Sequence, residues 1–192
     1  MKNLIYFFLP LLFSTAGVNS QSVVEIHHVS QPVINLNGVW EICQSPGNHV
    51  EDYFKDHLEW QAIQVPGECM MQGLPIRHDV PFLYRKLFSI PAEYAGKTIL
   101  IRFEGVYSYA RVWINSRDLG DHYGGFTVWE RDITQHVNPG ETAQLCVLVV
   151  DRADEISYGS GYAKHPIGGI LRNVSIMAVP DNYPQQVSIT TD

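Results

Sequence analysis

Short apolar runs, each closed off by Gly, Pro, Asn or Asp, recur from residue 36 to residue 179, and none carries a long apolar face at helical spacing. That pattern most narrows what the chain can become. A period of two puts one side of a strand in a core, and frequent turn residues return the chain to make the next strand. Gly38–Cys43 (GVWEIC), Leu83–Ile90 (LYRKLFSI) and Thr98–Glu104 (TILIRFE) read as strands, the last with Ile99, Ile101 and Phe103 on one face. Arg111–Asn115 follows, and Ser116–Gly120 (SRDLG) has the composition of a hairpin turn. Ala143–Val150 is nearly all apolar, as a central strand covered on both faces would be. Ile170–Val179 closes the series, and only Glu51–Trp60 suggests a short helical turn. The expectation is an all-β sandwich or barrel; the pattern alone leaves jelly roll and immunoglobulin-like sandwich equally open.

The first twenty residues stand apart. Lys2 precedes the apolar run Leu4–Phe13 (LIYFFLPLLF), and small residues follow. Ten residues make about 15 Å of helix, half a bilayer core, so the run reads as a cleaved signal peptide and not as a membrane anchor. A secreted or periplasmic product is expected, with no membrane contact after cleavage. Its three cysteines then cannot all pair. Cys146 in AQLCVLVV and Cys43 read as small buried hydrophobes, and a Cys43–Cys69 disulfide is an open alternative. The 13 basic residues form no run and the net charge is -7. Nucleic acid and anionic membrane are therefore excluded as partners.

Reactive motifs are absent. There is no G-x-S-x-G, no H-E-x-x-H, and no phosphate loop among Gly159, Gly161, Gly168 and Gly169. His27 and His28 are adjacent, which on a strand puts them on opposite faces and makes a poor metal site. No cofactor or metal is expected. The twenty carboxylates offer many pairs, and nothing singles one out for general acid work. Loop aromatics are the better lead: Tyr107, Tyr109, Trp129, Tyr158 and Tyr162. Flat rings stack on the apolar faces of sugars, although sandwiches also use them to plug the ends of the core.

A series of segments in order then carries a resemblance. LNGVWEI, VPGE, YRKLFSIP, AGKTILIRFEGVYSYARVWINSRDLGDHYGGFTVWERDIT, NPGE, AQLCVLVVD and GGILRNVSI resemble the N-terminal sugar-binding domain of glycoside hydrolase family 2. This is the family of β-galactosidases, β-glucuronidases and β-mannosidases. The resemblance implies a galactose-binding-domain-like jelly-roll β-sandwich over residues 21–180. The signal peptide read above (1–20) precedes it, and the resemblance places a linker with the start of a truncated immunoglobulin-like domain after it (181–192).

The resemblance also says where chemistry would lie. The family's catalytic acid and nucleophile are glutamates on a separate (β/α)₈ barrel, the acid following an Asn. This chain has no Asn-Glu dipeptide and no room for a barrel of about 250 residues. The expectation is an accessory domain of an exported β-glycosidase, inactive alone, with a β-linked glycan and the missing barrel as partners. In some members an Asp or Asn precedes the Gly-Ile-x-Arg element. Here that stretch has neither, which leaves Tyr162, Lys164 and His165 as the carbohydrate-binding candidates. The alternatives are a stand-alone carbohydrate-binding module and a purely structural domain.

Overall fold

The computed structural model describes residues 28–47, 49–55, 57–152, 167–180 and 182–183. Its twelve strands are β1 (Val33–Asn35), β2 (Gly38–Cys43), β3 (Gln61–Val65), β4 (Phe82–Ser89), β5 (Thr98–Phe103), β6 (Val106–Tyr107), β7 (Tyr109–Ile114), β8 (Arg117–Tyr123), β9 (Trp129–Asp132), β10 (Thr142–Val150), β11 (Gly169–Ile170) and β12 (Val174–Val179). Two antiparallel sheets face each other, one ordered β1-β12-β5-β9 and the other β3-β2-β4-β10-β7-β8; β11 and β6 form a separate two-stranded sheet. The expected jelly-roll sandwich is the architecture found.

Alternation decides what faces inward. Ile99, Ile101 and Phe103 of β5 meet Val112 and Ile114 of β7 and Leu145, Val147 and Val149 of β10 in one continuous core. Burying a side chain of this size contributes roughly 1.5–3 kcal/mol, so this cluster supplies most of the driving force. β10 is the central strand that its composition predicts. Its other face, with Leu83 of β4 and Trp113 of β7, is covered by the segment after β2: Cys146, Leu83 and Trp113 pack with Tyr53, Phe54, Leu58 and Trp60. Among its described residues that segment has one short 3-10 turn, Val50–Asp52, in place of the helical turn expected over 51–60. Arg85 follows the same logic on the outer face, where it bonds Glu41 at 2.7 Å and lies 4.2 Å over the Trp60 ring.

Two local expectations are corrected. The hairpin between β7 and β8 turns on Asn115 and Ser116 alone, both left-handed (φ 47° and 67°). Residues 117–120, read as turn, are the start of β8. Two left-handed residues match the twist of the flanking strands, and Asn tolerates that region. Likewise Ile170–Val179 is not one strand: Gly169–Ile170 pairs with β6, and β12 begins at Val174 after a break. Cys43, Cys69 and Cys146 are all free and buried, so the disulfide alternative is not realised. β8 ends the six-stranded sheet as a polar edge with Arg117, Asp118 and Asp121, and its register with β7 shifts between Arg111 and Trp113.

Candidate functional site

Tyr162, Lys164, His165 and Tyr158 lie outside the described residues. The chain on either side of them is well placed. Arg152 donates from its backbone to Ser108 Oγ at 2.6 Å and from Nε to Asp79 at 3.2 Å. On the return, Gly168 N–H points to Glu68 Oε1 at 3.4 Å, and the Gly168 carbonyl accepts from Cys69 N–H at 3.0 Å. Glu68 also accepts from Met71 N–H at 2.7 Å. Both flanks of residues 153–166 are therefore pinned beside β6 and β11.

A cleft of about 240 Å³ opens here, lined by Gln44, Leu74, Ile76, Arg77, Phe82 and, at its floor, Cys69. The Cys69 thiol lies 3.0 Å from the Tyr84 hydroxyl. Burial pushes this thiol up to about 11, and burial also raises the Tyr84 phenol. The Cys146 thiol is pushed up to about 12 for the same reason. Both cysteines are neutral at pH 7 and neither is a nucleophile. Among the described residues no three His, Cys, Asp or Glu side chains gather to hold a metal ion.

Among the described residues, the aromatics expected in loops lie on strands instead, Tyr107 on β6, Tyr109 on β7 and Trp129 on β9, and they divide. Tyr109 and Trp129 are buried, so for them the core-plugging reading holds. Trp129 stacks on Phe103 (4.3 Å between centroids) and on His122 (4.7 Å), and its indole N–H has no hydrogen-bond partner among the described residues. Burial, and secondarily Arg131, lowers the His122 imidazole below the ordinary histidine range. Thr127 Oγ donates to the Gly124 carbonyl at 3.1 Å, so it accepts from His122 Nε2–H at 2.7 Å. This neutral His122 is the tie that shapes the Gly124–Val128 loop.

That loop carries the most exposed aromatic side chain among the described residues. Phe126 is 65% exposed and Val128 is 52% exposed. Phe126 leans on the half-buried ring of Tyr107, 5.5 Å away and tilted by 55°. Gly125 has to be glycine, because a Cβ there would overlap the Tyr107 ring. At Gly105 a Cβ would stand 3.0 Å from the Gly125 carbonyl and 3.2 Å from Arg172 Cδ, so the Arg172 stem lies along this glycine surface. Phe126 was not among the residues singled out by loop aromaticity; the signal in the sequence is a Phe directly after the Gly-Gly pair.

Comparison with known proteins agrees with this geometry. Residues 33–180 match the family described as glycosyl hydrolases family 2, sugar binding domain. The chain is 28% identical over 171 residues to a β-galactosidase of Thermoanaerobacter pseudethanolicus, covering 85% of this chain and 23% of that protein. It is 30% identical over 159 residues to a β-glucuronidase of Formosa agariphila, covering 73% of this chain and 16% of that protein. A solved β-glucuronidase of Ruminococcus gnavus, in complex with D-glucuronic acid, superposes with a TM-score of 0.67 at 22% identity. That superposition spans 78% of this chain and 30% of the other. The chain thus spans well under half the length of the relatives it matches.

Proposed function

The chain belongs to family 2 of the glycosyl hydrolases through its sugar binding domain, and from that premise we propose that it is the accessory domain of an exported β-glycosidase. In this reading the glycosidic bond is broken on a separate barrel carrying the two glutamates, and the sandwich helps to hold the glycan beside it. Residues 1–20 direct export to the periplasm or the exterior, residues 21–180 are the sugar-binding domain, and residues 181–192 lead toward a following domain. Tyr162, Lys164 and His165 are the residues of the 153–166 segment that we assign to glycan contact.

The observation that carries the reading is the continuous family match over residues 33–180, set against relatives of which the chain covers between 16% and 32%. The described residues are consistent with it: the two thiols held near 11 and 12 stay protonated and supply no nucleophile. The test is to incubate the purified 192-residue chain with nitrophenyl β-galactoside and β-glucuronide. Release at the buffer rate is expected. Release above it, reproduced in an independent preparation, overturns the assignment of bond breaking to another domain.

A further inference from the structure

We propose that Phe126, Tyr107 and Arg172 form a binding face for a single pyranose that carries a carboxylate. The inference rests on the sugar-binding reading above and locates a site within it, apart from Tyr162, Lys164 and His165. Three observations place the ligand chemistry. Phe126 is held in water by a loop whose own residues are tied down: Gly124 N–H bonds the Ser108 carbonyl at 2.9 Å, and Thr127 bonds both Gly124 and His122. An exposed ring on an ordered loop loses little entropy when a ligand stacks on it. The two glycines, by lacking side chains, bring the Phe126–Tyr107 pair and the Arg172 stem to one surface.

The third observation is charge. Arg172 is exposed and its guanidinium makes no hydrogen bond or ion pair among the described residues. The adjacent carboxylate is already engaged, since Glu104 accepts from Asn173 Nδ2 at 2.9 Å. A planar fork of five donors, carried on a stem that crosses Gly105 next to the Gly125 carbonyl, matches a ring sugar bearing a carboxylate, because the fork can pair both oxygens while the sugar's C–H face covers the Phe126 ring on the same loop. A neutral sugar would offer the fork only hydroxyls, without the opposite charge or the two-oxygen geometry that a carboxylate presents to it. The overall charge of -7 argues against a polyanion, whose distal charges would be repelled. Screening within about 8 Å at physiological salt leaves Arg172 to act locally on one charge.

The experiment is calorimetric titration of the full chain with cellobiouronic acid, in which glucuronate is β-linked to glucose, and with cellobiose. At low salt the acidic disaccharide is expected to bind about tenfold tighter. Arg172→Gln should bring it down to the cellobiose level. Phe126→Ala should weaken both by about tenfold, with unchanged urea midpoints. Equal binding of the two sugars by the native chain overturns the carboxylate assignment. Binding untouched by either substitution overturns the site and leaves the sugar-binding reading standing. No binding of either disaccharide overturns the site, and silence across a broad glycan array would take the sugar-binding reading with it.

Discussion

The hairpin of β7 and β8 has two ends, and they are built in opposite ways. At the turn, Asn115 is saturated: its Nδ2 donates to the His136 carbonyl at 2.9 Å, its Oδ1 accepts from Gln144 N–H at 2.9 Å, and its own N–H donates to the Gln144 carbonyl at 2.9 Å. At the far end, where β8 runs into Gly124–Val128, hydrogen bonds shape the loop but leave Phe126, Val128 and Arg172 facing water. The first end uses its polar groups up on stability. The second keeps apolar and cationic groups free, and so has something to offer a ligand.

Substitutions at the two ends should separate stability from recognition. The largest effect is expected at Ile114, fully buried beside the turn: Ile114→Ala should cost about 3 kcal/mol of unfolding free energy in urea titration. Asn115→Ala removes two side-chain bonds and a residue tolerant of left-handed backbone, for about 2 kcal/mol by the same measurement. A fall of less than about 0.5 kcal/mol would mean the turn is not the saturated end. Gly125→Ala drives a Cβ into Tyr107 and should cost about 1–2 kcal/mol while reshaping the Phe126 face. Phe126→Ala should move the urea midpoint least of all, within about 0.5 kcal/mol, because exposed side chains contribute little.

Acidity offers a finer comparison along the same strand. The His122 imidazole is depressed by burial, so the folded state resists its protonation and the unfolded chain takes the proton first. Its contribution to stability is complete above about pH 6.5 and is lost as pH falls from there toward the lowered folded value. Asp118 is held below the usual carboxylate range, chiefly by its hydrogen bond from Arg111. Its contribution is present above about pH 4 and is lost only as pH falls further. Urea midpoints from pH 7 to pH 5 should therefore decline, and His122→Gln should flatten the decline; an unchanged slope would show that His122 is not what ties the loop.

Where period-two alternation meets a buried face, the chain is legible from its residues. β2, β5 and β10 lie within a residue or so of where the apolar pattern puts them, because each has one face that must leave water. β8 failed to show for the opposite reason: it is an edge with polar residues on both faces, so residues 117–120 look like turn chemistry. The segment from Val50 to Trp60 carries aromatics without strand or helix periodicity because it drapes over the outside of β4, β7 and β10. In the candidate site, composition drew attention to the stretch holding Trp129, which the structure places at the start of β9, but not to which ring faces out. That depends on the tertiary stack of Phe103, Trp129 and His122, which turns Trp129 inward and leaves Phe126 outside.

The edge made by β8 has a consequence for how this protein meets others. Its charged side chains and the register shift against β7 spoil the row of unpaired amides that an incoming strand would need. Extension of the sheet past β8 by a foreign peptide, or by a second copy lined up against that edge, is thereby discouraged. Along this edge the sheet is capped by its own side chains, which leaves the adjoining Gly124–Val128 loop to change its chemistry without disturbing the backbone ladder.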